Sequence, residues 1–270
     1  MTQRSFLFVP GHRDDRFAKA MASGTDAVIL DLEDAVAPEA KQAARESVRG
    51  WLAAGGRALV RINAADTPWF TDDLEMLRAL PQAGVMLSKA DTPSLAHTLA
   101  ALPGREVIAL LETVAAYMDL PALSRVPGLA QIAFGSVDFG IDSGIVDSGD
   151  AMVAVRTQIV LHSRFAGLRA PLDGVSLSFN SAEQMLADAL RSFHLGFGGK
   201  LCIHPAQVSA VNRAFTPTEQ EHSWAQRVLQ AFVDSAGAAT AVDGKMVDRP
   251  VVERARRIVA AAGGALSDVA

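Results

Sequence analysis

Val107-Ile108-Ala109-Leu110-Leu111-Glu112-Thr113 is an unbroken apolar run that stops on a carboxylate. A strand without polar alternation is one buried on both faces, as in a parallel sheet covered by helices. Working outward, comparable short aliphatic runs stand at 6–9, 27–31, 58–62, 85–88, 132–135, 174–179 and 200–203. Between them, stretches rich in Ala, Leu, Arg and Glu, such as 38–53 and 151–166, have the period of amphipathic helices. With 107–111 that makes eight β–α repeats in 270 residues, which predicts an α/β protein built as a (β/α)₈ TIM barrel rather than an open doubly wound sheet. No Gly-x-Gly-x-x-Gly opens a helix after the first run, which weakens a dinucleotide-binding reading.

Past the eighth run come a helix at 218–234, a small-residue stretch at 235–239 suited to a hinge or linker, and another helix at 249–262. The expected organisation is a TIM-barrel catalytic domain at 1–235 and a C-terminal helical lid or packing appendage at 236–270.

The chain carries 30 acidic and 25 basic side chains, a formal charge of −5, without the basic stripe of a nucleic-acid binder. Its single cysteine, Cys202, lies in an apolar run and reads as a buried, inert thiol. The N-terminus lacks the roughly 7–15-residue apolar core of a signal peptide. No apolar stretch approaches the ~20 residues of a membrane span. The expectation is a soluble, cytoplasmic enzyme acting on small molecules, with no membrane or nucleic-acid partner.

In this fold, active sites form where the C-terminal strand ends meet the following loops. Glu112 and Asp138 close consecutive strands, and neighbouring strands run about 4.8 Å apart. Two carboxylates so placed either share one cation or form separate salt bridges to Arg or Lys, and spacing alone does not choose. Oxygen ligands without Cys or paired His favour magnesium or manganese over zinc. Arg61, two strands away from Glu112, offers a planar fork for a substrate carboxylate, or else pairs structurally with Asp31 or Glu33. Alternation puts Asp31 and Glu33 on one face, beside metal-bound water or in structural pairs, with Asp34 capping the next helix. Lys89 could suggest a Schiff-base amine, but beside a carboxylate pair it is expected to be structural or substrate-orienting. His204 reads as a packing or hydrogen-bonding residue.

Six motifs occur in order: Arg4-Ser5-Phe6-Leu7-Phe8-Val9-Pro10-Gly11, Leu30-Asp31-Leu32-Glu33-Asp34-Ala35-Val36, Val60-Arg61-Ile62-Asn63, Leu111-Glu112-Thr113, Phe134-Gly135-Ser136-Val137-Asp138 and Gly199-Lys200-Leu201-Cys202-Ile203-His204-Pro205-Ala206-Gln207. From residue 4 to about 260 the chain resembles the citrate lyase β-subunit-like proteins of the HpcH/HpaI aldolase superfamily. The resemblance implies a homotrimeric or hexameric enzyme that cleaves or forms a C–C bond in a coenzyme A thioester. Citryl-, malyl- and citramalyl-CoA are the usual substrates, giving acetyl-CoA and a 2-oxo acid. On matching positions, Glu112 and Asp138 would carry Mg²⁺ at the substrate, and Arg61 would hold the oxo-acid carboxylate. The region Phe8 to Lys19 would line the CoA channel, with Arg16 and Lys19 near its phosphates. Asp248, in Gly244-Lys245-Met246-Val247-Asp248-Arg249-Pro250, resembles a catalytic aspartate that reaches a neighbouring subunit on a C-terminal lid. The chain departs from the pattern at Ser88, where many relatives have Pro, and near Ser178, where many are acidic. Two rival readings share the same core: a metal-dependent aldolase on free 2-oxo acids, and an accessory subunit of a citrate lyase assembly.

Overall fold

In the computed structural model, which describes residues 3–262, eight parallel strands close into a barrel in sequence order. They are β1 Ser5–Pro10, β2 Ala27–Asp31, β3 Leu59–Ile62, β4 Gly84–Leu87, β5 Val107–Leu111, β6 Gln131–Phe134, β7 Leu172–Asp173 and β8 Gly199–Cys202. Helices between the strands, such as Lys41–Ala53 and Val153–Phe165, bury one face against them. This is the expected TIM barrel. No helix among the described residues is long and apolar enough to cross a membrane.

The two-residue period of a strand explains how the barrel positions a site. Ile29, Leu59 and Leu110 belong to the apolar cluster inside the barrel. Two residues further along each chain stand Asp31, Arg61 and Glu112, which line a cavity at the mouth. Phe6 and Leu201 lead in the same way to Phe8 and Ile203. Side chains two apart share a face, so an inward-facing core residue makes the next alternate residue face inward one layer higher.

The seventh strand departs from expectation. The pairing covers Leu172–Asp173, and residues 174–179 leave the ladder, although their alternation reads as a strand. Asp173 looks in sequence like a break, yet it is buried. Arg156 Nε and the Ser192 hydroxyl donate to its carboxylate, and Lys200 Nζ lies 3.6 Å away. These partners, remote in sequence, allow a charge inside the wall.

The chain divides after Asn212 into two compact units. In the second, the helices Glu219–Asp234 and Arg249–Ala261 share a core of Ala225, Val228, Val247, Val252, Ala255 and Val259. An antiparallel hairpin joins them, from β9 Thr240–Val242 and β10 Lys245–Val247. The boundary expected at 235/236 falls inside this unit, where Ser235 is the C-cap of the first helix. The sequence reading missed the hairpin. Asp243-Gly244, both with positive φ, is the turn signal that could have found it.

Candidate active site at the barrel mouth

A cavity of about 370 Å³ opens at the C-terminal strand ends, and Phe8, Asp31, Asp34, Arg61, Glu112 and Asp138 are among its walls. Glu112 follows β5 and is buried. Its Oε1 accepts a 2.6 Å hydrogen bond from the backbone N–H of Lys89. On its other flank stands Gly135, where an added Cβ would come within 2.7 Å of Oε2. Only glycine allows that approach. Gly135 is also the N-cap of the helix Ser136–Ser143, whose first turn carries Asp138. One glycine thus makes room for the first carboxylate and starts the helix that brings the second.

Arg61 makes the structural pairing that the sequence left open. Its Nε and Nη2 donate to the two carboxylate oxygens of Asp31 at 2.7 and 2.6 Å, and Nη1 lies 2.9 Å from Glu33. The guanidinium carbon sits 4.8 Å from the centre of the Phe8 ring. Burial opposes charge on Arg61, but Asp31, Glu33 and Glu112 outweigh it and raise its pKa. Asp34 is exposed, 3.5 Å from Arg61 Nη1. It caps no helix. The turn Pro38–Ala40 that leads into the next helix has Ala37 at its N-cap, without a side-chain hydrogen bond.

Lys89 has a positive φ of 45°, its N–H donates to Glu112, and its Nζ lies 3.6 Å from Glu33. Burial lowers its affinity for a proton, but Glu33, Asp34 and Glu112 more than offset this and raise the pKa. A Schiff-base lysine requires the opposite shift. Ser88, which precedes it, is buried with a hydroxyl that lacks a partner among the described residues.

Carboxylates outnumber cations here: among the described residues, Asp31, Glu33, Asp34, Glu112 and Asp138 meet Arg61, Lys89 and, from behind, Lys41. Burial, then Glu33, pushes Glu112 up to about 8, against the opposing Lys89 hydrogen bond and Arg61. Burial and Asp34 raise Asp138. Burial also pushes Glu33 up to about 7 despite Arg61. Such a site lacks positive charge. Among the described residues there is no group of three or more His, Cys, Asp or Glu able to enclose a metal. Two carboxylates with open surroundings fit magnesium, which keeps water and substrate oxygens in its shell, and do not fit structural zinc.

Lys41, which the sequence reading passed over, holds the acidic loop from behind. Its buried Nζ donates to the carbonyls of Leu32 and Glu33 and to Asn63 Oδ1, at 2.7, 2.8 and 2.7 Å. Nothing in the sequence marks it, because it sits in a helix where lysine is ordinarily solvated. Of the other expected residues, Arg16, the N-cap of the short helix Phe17–Met21, and Lys19 within it are both exposed. Asp248 belongs to the second unit, where its side chain accepts from Val251 N–H as an N-cap. His204 caps the turn Pro205–Gln207 and stacks on Phe179. Cys202 is buried, its thiol pushed up to about 12 by burial.

The profile of the HpcH/HpaI aldolase/citrate lyase family matches residues 4–205. The chain belongs to that family. Across the family, a citrate lyase subunit beta-like protein of Deinococcus radiodurans is 37% identical, covering 95% of this chain and 96% of its own. A (3S)-malyl-CoA thioesterase of Cereibacter sphaeroides is 31% identical over 96% of this chain and 94% of its own. Among solved structures, protein CitE of Mycobacterium tuberculosis, in complex with magnesium, acetoacetate and coenzyme A, superposes with a TM-score of 0.84. It shares 34% identity and covers 97% of this chain and 98% of its own.

Proposed function

We propose that this chain is a magnesium-dependent carbon–carbon lyase acting on a 3-hydroxyacyl-CoA such as citryl-, malyl- or citramalyl-CoA. The products are acetyl-CoA and a 2-oxo acid. The observation that carries this reading is the buried Glu112 beside Asp138, in a mouth where carboxylates lack enough cations and Arg61 lines the same cavity. CitE, with magnesium and coenzyme A in its structure, supports the choice of metal and thioester.

Glu112 and Asp138 would hold the cation, magnesium or manganese. When bound, it polarises the oxygen that becomes the ketone. Arg61 presents its remaining N–H donor capacity to the acid's carboxylate, and its pairing with Asp31 keeps the fork oriented. The Phe8 ring covers one side of that fork. Asp248 takes the α-proton of acetyl-CoA in the condensing direction and returns it on cleavage, a role that rests on the resemblance alone. A homotrimer or hexamer is part of the same reading.

The test is an assay of the purified chain with Mg²⁺ against the three thioesters, with products identified by mass spectrometry. Acetyl-CoA with oxaloacetate, glyoxylate or pyruvate is the expected result. The malyl-CoA thioesterase relative favours a second reading, thioester hydrolysis. Free CoA with an intact hydroxy acid, and no acetyl-CoA, would establish that reading and remove the lyase.

A further inference from the structure

Beside the cavity at the mouth lies another of about 480 Å³, and the two share Ser136, Val137 and Val175 as a common wall. The chemistry above makes no use of it. Arg61 stands on β3, whereas the common wall lies at the end of β6 and just past β7. In a closed barrel of eight strands in sequence order, β3 and β7 face each other across the axis. A ligand with its carboxylate at Arg61 and its carbonyl at Glu112 and Asp138 has this neighbouring space open to its remaining chain across the shared residues.

The second cavity has a mixed lining, with Ser148, Ser178, Gln184 and Arg191 on its polar part and an apolar part that can take such a chain. Ile141, Val146 and Leu177 line it while 77, 73 and 69% exposed. Apolar groups gathered around a concavity gain when an aliphatic chain displaces their water. The acidic groups there are already paired: Asp147 receives both Nη atoms of Arg156, and Asp188 lies 3.8 Å from Arg191. Ser176, also in the wall, is buried with a hydroxyl that lacks a partner among the described residues. A polar atom at the end of the chain can bond to it without displacing an existing bond.

Resting on the reading of the mouth as a 2-oxo acid site, we propose that this cavity is a subsite for the side chain of the 2-oxo acid. It suits acids longer than pyruvate, of about four to six carbons. The substrate thioester would then carry a correspondingly longer group on its hydroxyl-bearing carbon.

Calorimetric titration of the full chain with Mg²⁺ tests this, using glyoxylate, pyruvate, 2-oxobutanoate, 2-oxopentanoate and 2-oxohexanoate. Each methylene beyond pyruvate should tighten binding about three- to fourfold. Ile141→Asn or Leu177→Asn, both at exposed positions, should bring the ratio of six-carbon to three-carbon affinity near one. If the short acids bind but affinity stays flat or falls along the series, the subsite is wrong and the site reading stands. Variants that keep the wild-type ratio also overturn the subsite. Failure of every acid to bind overturns the reading of the mouth, and the subsite with it.

Discussion

The backbone N–H of Lys89 donates a 2.6 Å hydrogen bond to the Glu112 carboxylate from a residue in the left-handed conformation, φ 45°. A non-glycine residue there costs about 1–2 kcal/mol, which points to the backbone as the part that matters. Lys89→Gly should therefore melt at or above the wild-type temperature and keep Mg²⁺ affinity within a few-fold. Borohydride reduction of the wild type in the presence of pyruvate should trap no adduct. A covalent adduct at Lys89 by mass spectrometry would restore the Schiff-base reading.

Glu112 yields a pH signature. Its carboxyl is pushed up to about 8 in the folded chain, against about 4.3 unfolded. The fold thus binds this proton more tightly than the unfolded chain does. The resulting stability is fully present below about 4.3 and is lost as the pH rises through about 8. Magnesium competes for the same carboxylate, so its affinity should weaken by up to about tenfold per pH unit below 8. The Tm gain from Mg²⁺ should accordingly be larger at pH 8 than at pH 6. Affinity independent of pH over that range would show that Glu112 is not a ligand.

For Arg61, the bidentate pair with Asp31 and the contact to Glu33 predict a double effect. Arg61→Lys keeps the charge but loses the fork, leaving buried acceptors short of donors at a cost of about 1–3 kcal/mol. KM for the oxo acid should rise as well. A fall in Tm with unchanged kinetics would make the residue structural only.

Lys41 acts on the site through the loop it anchors. Lys41→Met removes the donor from two backbone carbonyls and Asn63 and should destabilise the chain by about 2–3 kcal/mol. With Leu32 and Glu33 released, Asp31 and Glu33 lose their fixed approach to Arg61, so KM should rise more than kcat falls. Equal losses in both, tracking the unfolded fraction, would mean that Lys41 only holds the fold.

Asp248 has a local role that must be separated from chemistry. As N-cap of Arg249–Ala261 it is replaceable by Asn, whereas Ala should cost about 1 kcal/mol. Asp248→Asn should therefore keep the wild-type Tm while abolishing turnover. Mixing inactive Asp248→Asn and Arg61→Ala chains under verified subunit exchange should restore part of the activity if sites are shared between subunits. Full activity of Asp248→Asn alone would remove the residue from the mechanism.

The barrel was legible in the sequence because eight apolar runs alternating with helical segments leave few other ways to bury both faces of a parallel sheet. The same logic located Asp31, Arg61, Glu112 and Asp138, since polar residues at the ends of such runs must meet at one rim. It failed at β7, where residues 174–179 have the pattern of a strand but the pairing falls on Leu172–Asp173. A buried charge is tolerated only by its partners, and Arg156 and Lys200 come from elsewhere in the chain.

Sequence alone thus determined the fold class, the family resemblance and the cast of charged residues at the mouth, because strand periodicity and motif order are local properties. Tertiary structure decided what those residues touch: Arg61 taken up by Asp31 and Glu33, Glu112 held between Lys89 N–H and Gly135, and Lys41 buried behind the acidic loop. The physical reason is that pairing and desolvation depend on distances across the barrel, between groups that lie tens of residues apart in the chain.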